Sequence, residues 1–526
     1  MLLDFRSVEV GAKLETDVGI IGAGAAGITI ALELMKSRIS VYLLESGGFD
    51  NDLSTQSLYK GESTGLPYYP LENTRLRFFG GSSNHWTGLC APLSEIDFES
   101  RPWVPYSGWP ISRADLDRYY ERAQPILNLG PFFYDERIWK LLGIVPPQLD
   151  PGKIRTPFWQ FSNPIARLGE KYKAALQQTD NVRLVVNANV TNIQTNKSGS
   201  RVEFVDIATI EGKRARLWAK RFILACGGLE NPRLLLLSNR VEPAGIGNRH
   251  GLVGRFFTEH LHGDIGELVS DDYDRLLSVY LKKTQNGRSY LATLQLGTVT
   301  QRKEQVLNSA VEIQAVTKED SGWQTAKSLY EKIRQGQKID ELPNAIWRIV
   351  KDFDEVAYNT YRRFVLRKFI PAPIDRIKFF SFAEQSPNPN SRVTLSQQKD
   401  ALGMNRIKLD WRLSDLDRYT MVTLVKTLAV EFGRLNNGRV RARSWLLADS
   451  DDWGKNIWGG NHHIGTTRMA DSPRVGVVDK NCRVHGVANL YIAGSSVFAT
   501  GGYANPTLTV IALALRLADY VKSQFV

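Results

Sequence analysis

A glycine-rich turn between a predicted strand and a predicted helix constrains the fold of this chain more than any other feature. Residues 17–21 form a short apolar run typical of a buried strand, and Gly22, Gly24 and Gly27 follow in a G-x-G-x-x-G pattern. The first glycine allows a tight turn, the second lets a pyrophosphate approach the backbone, and the third lets the helix pack closely on the strand. The segment therefore predicts a Rossmann-like α/β domain that binds a dinucleotide.

The residues around this turn complete a predicted nucleotide site. Ala25 and Ala26 open the helix, where unpaired N–H groups and the helix dipole favour a phosphate. Glu45, with Ser46 behind it, ends the next predicted strand at 41–45. An acid at this distance from the glycines accepts hydrogen bonds from the adenosine ribose. The fingerprint alone does not distinguish FAD from NAD.

The size and composition of the chain limit the class of protein to which it can belong. A chain of 526 residues is too long for one core, so two joined domains are expected. Cys90, Cys226 and Cys482 are too few for a disulfide framework or a metal cage, which favours a reducing, cytoplasmic compartment. No stretch approaches the roughly 20 apolar residues of a membrane span, and the N-terminus lacks a signal-peptide pattern. We therefore predict a soluble globular protein.

The residues argue against two kinds of partner, nucleic acid and a metal ion. The net charge of +12 could attract nucleic acid, but lysines and arginines are spread along the chain without an aromatic-rich basic run. A solvated basic surface is the simpler interpretation. His260 and His262 could bind a metal ion, but no acidic residue stands at ligand spacing. We predict neither a nucleic-acid partner nor a metal.

Two segments near the C-terminus carry the catalytic signal. Residues 462–469 read HHIGTTRM and residues 505–509 read NPTLT. An H-x-x-G-T-x-R-M stretch followed by N-P-x-x-T, behind a nucleotide fingerprint, resembles the catalytic end of the glucose–methanol–choline (GMC) family of flavin oxidoreductases. The resemblance implies FAD as the cofactor and His462 as the base that takes a proton from an alcohol while hydride passes to flavin N5. Asn505 would orient the alcohol but cannot accept its proton, and His463 would contact the substrate.

The segment after the fingerprint favours FAD over NAD. A nicotinamide domain would continue with another βα unit, whereas this chain inserts a glycine-rich loop at 75–87 that resembles the family segment along the flavin. Strands at 182–186, 221–228 and 488–496 resemble the returning part of a flavoprotein domain. Together these segments imply further FAD contacts at Arg75, Gly80, Gly81, Ser82, Asn84, His85, Trp86, Thr87, Val190, Ala225, Gly227, Asn231, Gly494, Ser495, Asn505, Pro506 and Thr507.

The sequence leaves two roles open for His85. In the resembling pyranose 2-oxidase, a histidine in a similar Gly-Gly-x-x-x-His-Trp-Thr setting is bonded covalently to the flavin, while other sugar dehydrogenases carry His-Trp here without a required bond. The alternative is a histidine packed against the ring edge. The His-Trp-Thr sequence, and Ala493-Gly494-Ser495 where many relatives have an Asp, place the resemblance nearest the branch of pyranose 2-oxidase, glycoside 3-oxidases and bacterial sugar dehydrogenases.

Composition divides the chain into three predicted segments. Residues 1–255 would form the first part of the FAD-binding domain, 256–454 an α+β substrate domain, and 455–526 the returning catalytic part. Within the second segment, residues 289–296 and 392–395 alternate in the manner of antiparallel strands. Gln385 lies in a turn-rich stretch that also resembles the family, and we expect it to contact the substrate.

The sequence as a whole predicts FAD-dependent oxidation of a secondary hydroxyl of a sugar or glycoside to a ketone. The base should titrate near the histidine reference pKa of about 6.5. Oxidation of a non-sugar alcohol in a biosynthetic pathway, and a flavin-binding scaffold or partner subunit without turnover, are the alternatives. Because no haem-attachment or iron–sulfur cysteine pattern is present, the electron acceptor would be O₂, a quinone or a separate carrier. The oligomeric state is open.

Overall fold

Two large β-sheets organise the chain in the computed structural model, which describes residues 1–317, 321–334, 342–364, 374–448 and 451–525. Its strands are β1 Leu2–Asp4, β2 Lys13–Ile21, β3 Val41–Leu44, β4 Gly61–Gly65, β5 Leu89–Cys90, β6 Ile154–Arg155, β7 Phe158–Phe161, β8 Val182–Val186, β9 Asn189–Thr195, β10 Val202–Ala208, β11 Arg214–Leu224, β12 His260–His262, β13 Asp264–Val269, β14 Lys283–Gln285, β15 Arg288–Ala292, β16 Leu294–Leu296, β17 Ser309–Thr317, β18 Ile374–Glu384, β19 Arg392–Lys399, β20 Asn405–Trp411, β21 Arg439–Ala442, β22 Trp458–Gly459 and β23 Leu490–Ile492.

Helices cover and connect these sheets. The α-helices are α1 Ala25–Leu34, α2 Leu53–Ser57, α3 Glu95–Phe98, α4 Ala114–Ile126, α5 Arg137–Leu142, α6 Leu168–Gln178, α7 Gly227–Leu237, α8 Tyr273–Tyr280, α9 Thr298–Glu304, α10 Gly322–Arg334, α11 Leu342–Lys351, α12 Phe353–Phe364, α13 Asp415–Arg434, α14 Ser444–Leu447 and α15 Thr507–Ser523. Short 3₁₀ helices lie at Phe5–Ser7, Leu71–Asn73, Gly81–Asn84, Asp451–Asn456 and Ser495–Val497.

The first sheet has the strand order β1-β8-β3-β2-β11-β10-β9, with β23 also paired to β11. Strands β1, β8, β3, β2, β11 and β23 run parallel, whereas β9, β10 and β11 form an antiparallel meander. Helix α1 follows β2 directly and is buried from Ala26 to Leu34, because it packs between this sheet and α15. The predicted Rossmann-like domain is confirmed.

The second sheet is antiparallel throughout, with the order β21-β13-β18-β17-β16-β6, and β12 joins β18 to β22. Helix α13 packs against it, and a capping box between Ser414 and Asp417 starts that helix. The predicted antiparallel substrate-side sheet is confirmed. The single strand expected at 289–296 is instead two strands in different sheets, because the backbone turns aside at Thr293, whose N–H donates to the carbonyl of Pro157.

Several sheets combine strands from different predicted segments. One has the order β14-β15-β7-β5 and the other β19-β20-β4. Strands β6 and β7 come from the first predicted segment yet pair with β16 and β15 of the second, and β22 of the third segment pairs with β12. The segments therefore share sheets, and the domain boundaries at 255 and 454 stay a prediction.

Two apolar cores correspond to the two large sheets. A buried ion pair joins the segment after α3 to β18. One core surrounds α1, α15 and the parallel strands, and the other surrounds the antiparallel sheet and α13. Arg101, after α3, donates to both carboxylate oxygens of Glu384 on β18 at 2.9 and 2.6 Å, and both side chains are fully buried. No helix in the described ranges is long and apolar enough to cross a membrane.

Candidate active site

A cavity of about 510 Å³ opens at the carboxyl ends of the parallel strands β2, β3 and β11. This is where open α/β sheets bind their ligands. Many residues predicted from the sequence border it: Gly22, Gly24, Ala25, Ala26, Glu45, Ser46, Arg75, Gly81, Ser82, His85, Trp86, Thr87, Val190, Ala225, Gly227, His462, His463, Gly494, Ser495, Asn505, Pro506 and Thr507.

The three glycines of the first turn meet different surroundings. Gly22 has φ +102°, and a Cβ there would lie 2.6 Å from the carbonyl oxygen of Ala225. A Cβ on Gly27 would lie 1.9 Å from the carbonyl oxygen of Gly22, so only glycine lets α1 approach β2 this closely. Gly24 is the residue before α1 and makes no side-chain cap, and a Cβ there would meet nothing within 4 Å. The N-terminus of α1 is thus open towards the cavity.

Glu45 is buried at the end of β3 and is held by the glycine turn. Its Oε2 accepts the N–H of Ala23 at 3.0 Å, and its Oε1 accepts the N–H of Gly47 at 3.1 Å and the hydroxyl of Ser46 at 3.2 Å. A carboxylate has about four acceptor positions. The side chain is therefore fixed in direction and still has acceptor capacity towards the cavity.

The loop 75–87 lies across the start of α1. Gly80, at φ +96°, donates its N–H to the carbonyl of Ala23 at 2.9 Å. Trp86 Nε1 donates to the carbonyl of Ala166 at 3.0 Å, and Arg167 donates to the carbonyl of Trp86 at 2.9 Å. His85 is exposed at the cavity wall, where desolvation first and the charge of Arg167 second lower its pKa. These contacts brace the loop, and in the described part of the chain no hydrogen bond engages the His85 ring.

Five predicted residues do not border the cavity: Gly27, Gly80, Asn84, Asn231 and Gln385. Asn84 donates to the carbonyl of Phe79, which steadies the loop. Asn231 is fully buried, and its amide accepts from Cys226 N–H and donates to Ala493 and Ser496. The structure thus gives these two asparagines bracing contacts within the protein.

Gln385 lies outside the cavity. Its amide oxygen accepts the N–H of Glu259 at 2.9 Å and the indole N–H of Trp411 at 3.0 Å, and its amide nitrogen donates to the carbonyl of Arg412 at 2.7 Å. The side chain is 2% exposed. The expected substrate contact is therefore not supported by its position, because protein groups already occupy its oxygen and bond its nitrogen.

An ion-pair cluster on one wall of the cavity was missed by the sequence reasoning. Glu230 at the start of α7 accepts from Arg75 at 2.8 Å and from Arg233 at 3.1 Å, and Arg233 also pairs with Asp400 at 2.7 Å. Burial alone would raise the pKa of Glu230, but the guanidinium groups of Arg233, Arg75 and Arg77 lower it to about 2. The cluster fixes Arg75, and no local signal in the sequence pairs these distant residues.

The two adjacent histidines both reach the cavity, in different settings. The backbone N–H of His462 donates to Glu259 Oε2 at 2.7 Å, and its ring Nδ1 lies 2.9 Å from Nδ1 of His260. His463 Nε2 lies 3.0 Å from the hydroxyl of Tyr68, which itself donates to Glu259 Oε1. Burial raises the pKa of Glu259 to about 7. His463 is tied into a side-chain network through its far ring nitrogen.

Burial decides the protonation state of this histidine cluster. Desolvation, followed by the nearby His260, His262 and His463, lowers the pKa of His462 well below 6.5. Burial also lowers the pKa of His463 to about 3. The value near 6.5 expected for the base is wrong, because it takes no account of burial. At neutral pH the His462 ring is neutral and therefore basic.

Asn505 also borders the cavity. Its amide nitrogen donates to the carbonyl of Leu89 at 3.3 Å. Its amide oxygen is buried and has no hydrogen-bond partner among the described residues. An unpaired buried acceptor costs about 1–3 kcal/mol. The oxygen is therefore suited to a donor from a bound molecule.

Comparison with known proteins identifies the family. Residues 17–313, more than half of the chain, match the family profile described as FAD dependent oxidoreductase, and residues 387–514 match that of GMC oxidoreductase. The chain belongs to the GMC family of FAD-dependent oxidoreductases. A formate oxidase structure from Aspergillus oryzae has the same fold, with a TM-score of 0.56 and 17% identity over 98% of this chain and 99% of that chain.

Curated relatives of this GMC oxidoreductase match it over nearly its whole length. The 2-methyl-1,2-propanediol dehydrogenase of Mycolicibacterium austroafricanum is 24% identical over 97% of this chain and 96% of its own. The fructose dehydrogenase large subunit of Gluconobacter japonicus is 24% identical over 97% and 98%. The 6'''-hydroxyparomomycin C oxidase of Streptomyces lividus is 24% identical over 96% and 91%. Sugars and smaller alcohols thus both occur in the names of its relatives.

The site fits the cofactor of the family on its own geometry. The open N-terminus of α1 suits a diphosphate, since unpaired N–H groups there attract negative charge. The fixed carboxylate of Glu45 suits ribose hydroxyls. Among the residues that the structure describes, no group of three or more His, Cys, Asp or Glu is arranged to hold a metal ion.

Proposed function

We propose that this GMC oxidoreductase oxidises a secondary hydroxyl of a sugar or glycoside to a ketone, with His462 as the base. The observation that carries the proposal is that His462, whose pKa burial lowers, and Asn505, whose amide oxygen has no partner among the described residues, border the same cavity. A neutral imidazole accepts the proton of the reacting hydroxyl, and the amide oxygen of Asn505 would accept a hydrogen bond from a second hydroxyl of the substrate, because the reacting hydroxyl has only one hydrogen. His462 would deprotonate the substrate, and Asn505 would orient it.

The remaining cavity residues would hold FAD along the first sheet. The start of α1 at Gly24, Ala25 and Ala26 would receive the diphosphate, and Glu45 the ribose. The 75–87 loop, with Gly494 and Ser495, would enclose the flavin, and Asn505, Pro506 and Thr507 would meet its pyrimidine end at the N-terminus of α15. When bound, FAD supplies the hydride acceptor for the alcohol carbon.

A sugar substrate is supported by two of the relatives, fructose dehydrogenase and 6'''-hydroxyparomomycin C oxidase. The second candidate is a non-sugar alcohol, which the 2-methyl-1,2-propanediol dehydrogenase favours. A flavin-binding scaffold without turnover is opposed by the position of His462 and Asn505 at the cavity. The acceptor is proposed to be O₂, a quinone or a separate carrier; one relative is itself a large subunit.

An anaerobic substrate panel tests the substrate class. Purified holoenzyme is mixed with hexoses, glycosides and 1,2-diols, and loss of flavin absorbance is followed by stopped flow. Reduction by a sugar, with a ketone in the product, supports the proposal. Reduction by diols alone favours the second candidate, and no reduction by any alcohol would favour the scaffold. Reoxidation of the reduced enzyme with O₂ and with quinones then identifies the acceptor.

Three variants test the roles of the residues in the same reductive half-reaction. His462→Ala should slow flavin reduction by roughly 10²–10⁴-fold, the usual contribution of a positioned general base. Asn505→Ala should cost about 1–3 kcal/mol, or roughly ten- to a hundredfold, through the lost orienting hydrogen bond. His485→Gln is the matched control, since His485 does not border the cavity and its Nε2 contacts the carbonyl of Ala470 at 3.0 Å, and its rate should stay near wild type. A wild-type rate for His462→Ala contradicts the assignment of the base.

A further inference from the structure

His260 has no part in the proposed reaction, yet its ring contacts the ring of the base. It lies on β12 and is fully buried. Its Nδ1 is 2.9 Å from Nδ1 of His462, and its Nε2 is 3.2 Å from the carbonyl oxygen of Gly501. The two ring planes meet at 76° with centroids 5.0 Å apart. Both nitrogens of His260 are thus engaged, one by the base and one by the backbone.

These two contacts determine where the ring protons are. A carbonyl oxygen only accepts hydrogen bonds, so Nε2 of His260 carries its hydrogen. Burial lowers the pKa of His260 to about 4, and the ring is neutral at neutral pH. A neutral imidazole has a single N–H, so Nδ1 of His260 is an acceptor. The hydrogen between the two Nδ1 atoms therefore belongs to His462, and Nε2 of His462 is left unprotonated.

We propose that His260 is a positioning residue that holds His462 in the one tautomer whose Nε2 can take the substrate proton. The inference rests on the proposed role of His462 as the base. In the reaction, the hydroxyl proton moves to Nε2 of His462, and the O–H bond breaks as the N–H bond forms. The resulting imidazolium keeps donating through Nδ1 to His260, whose own N–H still points to the Gly501 carbonyl.

Other charged groups surround the pair without competing for its ring nitrogens. Glu259 accepts the backbone N–H of His462, not a ring N–H. Glu384 is the strand partner of His260 on β18 and is held in a bidentate pair by Arg101. His262 and His463 are further titratable neighbours of His462, and Tyr68 contacts His463. In the part of the chain that the structure describes, neither ring of the pair has a hydrogen bond to a carboxylate.

Replacement of His260 separates its acceptor function from its bulk. His260→Leu removes the acceptor, so His462 can populate the other tautomer. Flavin reduction should then slow about ten- to a hundredfold, with little change in the substrate concentration that gives half the maximal rate. His260→Asn places an amide oxygen near the former Nδ1 and should recover most of that rate. If both variants lose the same rate and the same melting temperature, His260 is only structural, and the proposal is overturned.

The ring nitrogens of the holoenzyme provide a readout that does not depend on turnover. The chain has 7 histidines, and ¹⁵N spectra of histidine-labelled protein distinguish protonated from bare ring nitrogens. His462 is assigned from the signals lost in His462→Gln. The expected wild-type pattern is a protonated Nδ1 and a bare Nε2 on His462, with a mixture in His260→Leu.

The two failures are distinguishable. A wild-type spectrum with the hydrogen on Nε2 of His462 overturns the positioning role even if His462 proves to be the base. A wild-type reduction rate in His462→Ala overturns the proposed function, whatever the tautomer. A pH profile of flavin reduction in His260→Leu that superimposes on wild type, at an unchanged rate, also contradicts the proposal.

Discussion

Substitution of two glycines in the first turn should have different effects: at Gly27 it should lower stability, and at Gly24 it should weaken FAD binding. A Cβ on Gly27 would lie 1.9 Å from the carbonyl oxygen and 3.1 Å from the carbonyl carbon of Gly22, and both of these are backbone atoms. Gly27→Ala must push α1 away from β2. Overpacking of this kind costs about 1–3 kcal/mol, and the helix preference of Ala over Gly returns about 1 kcal/mol. Because the contact is so short, we expect a net loss at the upper end, about 2 kcal/mol.

Gly24 lacks any such obstacle inside the protein. Nothing lies within 4 Å of its would-be Cβ, and its φ of −84° suits any L-residue. Gly24→Val should therefore keep the stability of the FAD-free protein within about 0.5 kcal/mol, as surface substitutions usually do. The valine methyls would occupy the space before α1 through which a diphosphate must approach. FAD at 100 times its Kd stabilises a protein by about 2.7 kcal/mol, and the variant should lose most of this gain.

The assay is thermal melting with and without added FAD, together with flavin absorbance per chain after desalting. Gly433 in α13 is the matched control, because it too has nothing within 4 Å of a Cβ but lies away from the cavity. Gly433→Ala should keep its FAD and melt at or slightly above wild type. If Gly24→Val retains FAD as wild type does, the diphosphate does not lie at α1, and the reasoning fails at its first step.

Two further predictions concern the histidines. Because burial lowers the pKa of His462 well below 6.5, and a base must be deprotonated to act, kcat/KM should fall only on the acid side of pH 6.5; a limb centred at or above 6.5 in a stopped-flow pH series would contradict the burial argument. His85 borders the cavity, so mass spectrometry of denatured protein should decide its role: a mass increased by one FAD shows the covalent bond, and the mass of the polypeptide alone excludes it.

The nucleotide half of the site could be predicted because its physics is local. A tight turn at Gly22, a close approach at Gly27 and an acid after the next strand all lie within 24 residues of sequence, and the structure places them together. The resemblance also located the segments that border the cavity. It did not give side-chain directions, which is why Gln385 and Asn231 were expected in the site although their amides bond to the protein.

The histidine network could not be predicted because its contacts are distant in sequence. His260 and His462 are separated by 202 positions, and Tyr68 and Glu259 by 191. The first pair is brought together by the pairing of β12, which carries His260, with β22, which His462 follows. In the sequence, His260 and His262 suggested only a weak metal pattern. Burial, which the sequence does not report, then set the pKa of the base.

A neutral partner suits this base better than a carboxylate would. A carboxylate on Nδ1 of His462 would favour the imidazolium and raise its pKa, so more of the enzyme would carry a protonated, inactive base at neutral pH. His260 orients the ring without that charge, because its unprotonated Nδ1 accepts the same hydrogen. Glu259, whose pKa burial raises to about 7, contacts the backbone N–H of His462 and leaves the ring alone. His260 therefore orients the base without adding a negative charge, and no carboxylate on the ring offsets the burial that lowers the pKa of His462.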